Sequence, residues 1–195
     1  MNSKFSYRLL PLLIMAAPVL AVDADNPHDL QESRRIAQAF MQRLGGTLKQ
    51  QLETAGPAGA IGVCKQVAPA LAAEYSQDGF LVGRVSLKTR NKTLGTPDVW
   101  ERAILEKFDQ QQAQGSAPAE FSELTEDADG RWFRYLKPIP TQPMCLQCHG
   151  QPDDMAAEVK TMLAREYPQD QAVGYRAGDI RGAITIKRKL ADAGE

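Results

Sequence analysis

The stretch RWFRYLKPIPTQPMCLQCHG, residues 131–150, holds the clearest strand of the chain and its most specific chemical motif. Arg131 to Leu136 is rich in aromatic and other strand-favouring side chains and follows the turn pair Asp129-Gly130, which predicts a strand entered from a hairpin turn. Pro138, Pro140 and Pro143 predict a rigid loop beyond it, because proline cannot donate to a sheet ladder. That loop delivers the chain to Cys145, Cys148 and His149.

Upstream, residues 26–55 read as a long amphipathic helix. Asn26 can cap it, Pro27 suits its first position, and Ile36, Phe40, Leu44, Leu48 and Leu52 recur every four residues. Gly56-Pro57 predicts its stop. Residues 58–76 read as helix again, bent at Pro69. Phe80 to Leu87 reads as a strand, and Thr96-Pro97 as the opening of a helix that buries Trp100, Ile104 and Phe108 and stops at Gly115. Phe121 to Leu124 reads as a short strand. Downstream, Pro152 to Tyr167 reads as a helix closed by Pro168, and Ala183 to Lys187 as the last strand after Gly178-Asp179. Strands interspersed with helices, with a late pair of strands, predict an α+β domain: a small antiparallel sheet with helices on one face.

Two cysteines separated by two residues and followed at once by histidine is the attachment motif of a c-type haem. The spacing sets two sulfurs to bond the vinyl groups of the macrocycle, and the histidine falls beneath the iron as proximal ligand. Cys145 and Cys148 are therefore expected to carry one covalent haem c, with His149 on the iron. A redox dithiol would expect a thioredoxin-like βαβ context, which the pattern lacks. Zinc would need four well-placed ligands, and beyond the motif the chain offers only Cys64, His28 and carboxylates.

Attachment of haem c follows export, and the N-terminus reads as an export signal. Lys4 and Arg8 precede the apolar run LLPLLIMAAPVLAV, which ends at Asp23. Cleavage after Ala21 fits, with Ala24 nearly as good. The run is shorter than the roughly 20 residues of a spanning helix and is broken by Pro11 and Pro18, so a cleaved signal over residues 1–21 is expected rather than an anchor. Residues 25–195 are then one domain, periplasmic, with no membrane span after cleavage. The whole chain of 195 residues is 43% hydrophobic with a net charge of -1. That balance gives no electrostatic case for binding nucleic acid.

A six-coordinate haem needs a second protein ligand. His28 reads as a solvated residue near a helix start, and Met41, Met144, Met155 and Met162 read as apolar filling. Cys64, the odd cysteine of three, lies in the apolar stretch AIGVCKQVAPALA, and its chemistry fits either a ligand or a buried inert thiol. Lys88, Arg90, Arg131 and Arg134 are weighed as partners of the haem acid groups, with ordinary solvated positions preferred.

Five stretches carry a family resemblance over nearly all of the mature chain: AIGVCKQVAPALA (60–72), RVSLKTRN (84–91), TPDVWE (96–101), YLKPIPTQPMCLQCHG (135–150) and AVGYRAGDIRGAITI (172–186). Together they resemble a small bacterial single-haem c domain, long catalogued as a domain of unknown function. It occurs as a stand-alone exported protein and as the sensor input of signalling proteins. The resemblance implies a PAS-like antiparallel sheet flanked by helices, and His/Cys axial ligation with Cys64 as the distal iron ligand. The segment KTLG after Asn91 does not align with it.

A thiolate ligand favours ferric iron and a low potential. It can be released on reduction, which leads to the first functional reading: a redox or small-ligand (gas) sensor. No output domain is expected in this chain, so a separate redox or signalling protein is the expected partner. The second reading is a periplasmic electron-transfer cytochrome c. A catalytic role is not expected, because His28 is the only spare histidine for a distal acid–base pair.

Overall fold

A computed structural model describes residues 26–191. The expected signal segment, residues 1–21, and its cleavage sites lie outside the described residues. The elements run α1 (Pro27–Gly62), a π-helical turn (Val63–Val67), α2 (Ala68–Tyr75), β1 (Phe80–Val85), α3 (Lys92–Gly95), α4 (Val99–Ala113), β2 (Phe121–Asp127), β3 (Gly130–Pro140), α5 (Leu146–His149), α6 (Ala157–Glu166) and β4 (Ile180–Lys189).

The four strands form one antiparallel sheet in the order β1-β4-β3-β2. The last strand of the chain is thus an inner one, paired with Phe80–Val85 on one side and Trp132–Pro140 on the other. The fold is a mixture of helices and an antiparallel sheet, as the alternation of patterns predicts.

Helices cover both faces of that sheet rather than one. Phe80, Phe133, Tyr135, Ile184 and Ile186 pack with Leu30, Ile36, Ala37, Phe40 and Leu71 of α1 and α2. Val85, Leu136 and Ala183 point the other way, onto Ile104, Leu105 and Phe108 of α4. Successive strand residues alternate between faces, and here both sets are apolar. Leu136 beside Tyr135, and Ala183 beside Ile184, are the positions where that continuity shows in the sequence. Such a sheet needs two covers.

Local chemistry explains most of the boundaries. Asn26 accepts the Asp29 N–H, as a helix cap should. Gly56 does break α1, at φ 66°, but the chain turns straight back into helix at Pro57. Pro69 follows directly on the π turn, at the second position of α2, within a continuous helical run. α4 starts two residues later than expected because Asp98 and Glu101 form a reciprocal capping box. The predicted proline loop is instead strand: β3 runs through Pro138 and Pro140, paired with Ala183 and Ile180 of β4. β2 ends opposite Leu136, so this part of β3 has an open side, and a missing N–H there costs no ladder bond.

Candidate functional site

The Cys-x-x-Cys-His segment enters through a 3₁₀ turn at Pro143–Cys145 and ends in the short helix α5. It is tied to the rest of the chain by its backbone. Gly174 N–H donates to Gly150 O at 2.8 Å, and Tyr175 N–H to His149 O at 3.0 Å. Gly150 is needed because a Cβ there would meet the Leu146 carbonyl oxygen at 2.6 Å. Cys148 packs beside Ile61, Val159, Leu163 and Tyr167, so it faces the seam between α1 and α6.

His149 is oriented from two sides. Its Nδ1 lies 2.7 Å from the Ala172 carbonyl oxygen, which can only accept. That places the proton on Nδ1 and makes Nε2 the acceptor nitrogen, which faces the guanidinium groups of Arg90 and Arg181. Tyr175 meets the ring edge-on, with centroids 6.2 Å apart. Burial, followed by the charges of Arg181 and Arg90, holds the imidazole neutral well below its usual range.

Arg90 joins the pieces. It is buried, its Nε donates to Asp170 at 3.0 Å, and its Nη2 donates to the carbonyls of Cys148 and Ala172. Its Nη1 lies 3.5 Å from His149 Nε2. Arg181 lies against the same imidazole, with its Nε 3.2 Å from Nδ1 and 3.4 Å from Nε2 and its Nη1 donating to Ser86 Oγ at 2.9 Å. Lys88 donates to Val173 O at 2.8 Å and lies over the Tyr175 ring.

Cys64 sits on the π turn, half-buried, where a helix makes one wide turn out of register. Cys148, Tyr167 and Arg181 lie in its electrostatic neighbourhood. Lys65, its neighbour, pairs with Glu166 at 2.5 Å and so fastens the π turn to α6. The structure thus brings Cys64, Cys145, Cys148 and His149 into one region. His28 is elsewhere, hydrogen-bonded to Asp29 at 3.2 Å. Of the four basic residues weighed from sequence, Arg90 and Lys88 reach the site. Arg134 binds Asp98 instead, and Arg131 opens β3 opposite Glu126.

The donor set suits haem. Among the described residues no three His, Cys, Asp or Glu side chains converge as a metal cage. A zinc site requires such convergence. A haem does not, because the macrocycle fills the equatorial positions and the protein needs to add only axial donors, for which an imidazole or a soft sulfur would serve. The dithiol alternative loses its βαβ setting, since every strand pair is antiparallel.

Sequence reasoning missed Arg181, Asp170 and the Ala172 carbonyl. For Arg181 the available signal is Gly182, a glycine inside a strand pattern. It sits at φ 154°, and any Cβ would overlap the Val85 carbonyl oxygen. That close approach brings Arg181 against the end of β1.

No helix among the described residues is long and apolar enough to cross a membrane. The family model described as Tll0287-like matches residues 25–188. Among solved structures, a crystal structure of the cyanobacterial haem protein Tll0287 shares the fold. Its TM-score is 0.64 at 24% identity, over 86% of this chain and 99% of that one. No curated protein matches.

Proposed function

The chain belongs to the Tll0287-like family, and from that premise we propose that it is an exported single-haem c protein whose iron lies between His149 and Cys64. The observation that carries this reading is the Ala172 carbonyl on His149 Nδ1, which makes Nε2 the ring nitrogen able to bind a metal, next in the chain to the Cys145/Cys148 pair. The printed description of the cyanobacterial structure as a haem protein supports it. The four-stranded order with helices on both faces is compatible with the PAS-like architecture that the resemblance implies. Cys145 and Cys148 would hold the macrocycle by thioether bonds, His149 would be the proximal ligand and Cys64 the distal one. Bound there, haem c supplies a one-electron couple.

Redox or small-ligand sensing is favoured over simple electron transfer, and the π turn is the reason. A π turn is a local irregularity that recurs at functional sites and can relax to an α-helical register. Cys64 rides on it, and the Lys65–Glu166 pair couples it to α6. A ligand carried by such a segment can move, and the movement has an outlet. A separate redox or signalling protein would read it in the periplasm.

Expression with the c-type maturation machinery tests the reading. The expected product is a periplasmic chain beginning at residue 22, with the mass of one covalent haem. A chain of apoprotein mass would overturn it. Cys64→Ala should change the ferric optical spectrum, and an unchanged spectrum would remove Cys64 as ligand. Carbon monoxide binding by the reduced protein supports sensing; a reduced protein that keeps both ligands and binds none supports electron transfer.

A further inference from the structure

Three cations bear electrostatically on His149: Arg181, Arg90 and Arg84. Only one of them is neutralised. Arg90 has Asp170, with both side chains about nine-tenths buried. Arg181 and Arg84 have no carboxylate within ion-pair distance among the described residues. Arg181 is held by Ser86 Oγ at 2.9 Å, by the Lys88 carbonyl at 3.4 Å and by the imidazole. All of these are neutral. Arg84 is part-exposed, so Arg181, set against the imidazole, is the cation left without a counter-charge at the site. Burying a charge without a counter-charge is costly, and proteins pair such groups. Here the chain spends a glycine, Gly182, on a backbone approach that puts Arg181 in this position.

A haem carries two ionised acid side chains, the complement of that excess. Resting on the haem reading above, we infer that Arg181 is a positioning residue that receives a propionate of the haem, while Arg90 is the clamp of the attachment segment. The two arginines differ by their partners. Arg90 spends its Nη2 on the Cys148 and Ala172 carbonyls and its charge on Asp170. Arg181 has its charge to give, in a planar fork suited to a carboxylate.

The role has a second consequence. A fixed cation near the iron disfavours the more positive ferric state, so Arg181 raises the reduction potential that the anionic thiolate lowers.

The test compares wild type with Arg181→Gln, Arg181→Lys and the remote control Arg131→Gln, all as mature haem-loaded protein. Three readouts are taken: covalent haem stoichiometry, the redox midpoint, and the propionate bending bands in the resonance Raman spectrum. Arg181→Gln is expected to keep one covalent haem, shift the midpoint to more negative values and move a propionate band. Arg181→Lys should restore most of the midpoint, because it restores the charge, but not the band, because an ammonium is no fork. Arg131→Gln should change neither. A midpoint and bands that stay at wild-type values in Arg181→Gln would overturn the inference. So would an Arg131→Gln protein with the same shifts. If Arg181→Gln does not fold, Arg181→Lys decides: an unmoved propionate band overturns the assignment. Absence of covalent haem from wild type overturns the functional reading instead, so the two failures are distinguishable.

Discussion

Replacing Asp170 by alanine should cost about 4 kcal/mol of stability, most of it from the single charge left behind. Asp170 and Arg90 are buried together, with side-chain exposures of 11% and 7% and a separation of 3.0 Å. Breaking a buried pair from one side costs about 3–5 kcal/mol, because the remaining ion is neither solvated nor paired. Arg90 also donates to two carbonyls, which meets part of its demand and puts the cost near the lower end, about 3 kcal/mol. Asp170 Oδ1 further accepts the Ala172 N–H at 2.8 Å, a turn bond worth about 1 kcal/mol. Urea unfolding followed by tryptophan fluorescence should show a lower midpoint at unchanged slope. On a heating scan the drop is roughly 8–16 °C for a chain of this size. Asp170→Asn keeps an acceptor for Ala172 and should recover about 1 kcal/mol. The exposed pair Arg43–Glu74, with both side chains about half exposed, is the control: Glu74→Ala should cost less than about 1 kcal/mol. If Asp170→Ala falls in that same range, the reasoning about an uncompensated buried charge fails.

Other outcomes can be checked on the same assay. Gly182→Ala should lose about 3 kcal/mol, because the residue would be forced from φ 154° and its Cβ into the Val85 carbonyl; a loss within about 0.5 kcal/mol would mean that β1 yields freely there. Phe40→Ala removes a fully buried ring at the centre of the α1 face and should cost about 3–5 kcal/mol. Burial pushes Glu120 up, but the Tyr135 hydroxyl, Arg34 and Lys137 outweigh it and hold the carboxyl below its usual value of 4.5. Its contribution is therefore complete above that value and is lost as the pH falls through the lower folded-state value. Glu120→Gln should be less stable than wild type at neutral pH and should lose less on acidification, read from unfolding at about pH 7 and about pH 3.5. Parallel losses in the two proteins would count against the network.

What was legible in the sequence was whatever one segment decides alone. The four-residue period of Ile36, Phe40 and Leu44 is local, and so is the cap at Asn26. The spacing of Cys145, Cys148 and His149 is likewise local, a pattern complete within five residues. What failed was whatever depends on a neighbour. Pro138 and Pro140 read as loop because the proline rule assumes two flanking strands, and here β2 has already ended. The second helical cover was hidden because Leu136 and Ala183 had been read as the ends of strands, not as a second apolar face. Arg181 was hidden because its meaning lies in what it lacks, a carboxylate, and that is visible only once the chain is folded around it.

The place of β4 sets an order on how this molecule can be made. Synthesis proceeds from the N-terminus, so the Cys-x-x-Cys-His segment emerges before Ile180–Lys189 exists to close the sheet. Until then β1 has no partner, and β2–β3 is a lone hairpin of marginal stability. Closure joins strands about a hundred residues apart, since Phe80 meets Arg188, and contacts of such separation form slowly. On the proposed function, Cys145 and Cys148 would thus be open to haem attachment during a period when the tertiary structure around them has not yet locked. The last strand then seals the sheet and brings Arg181 to the site in the same event.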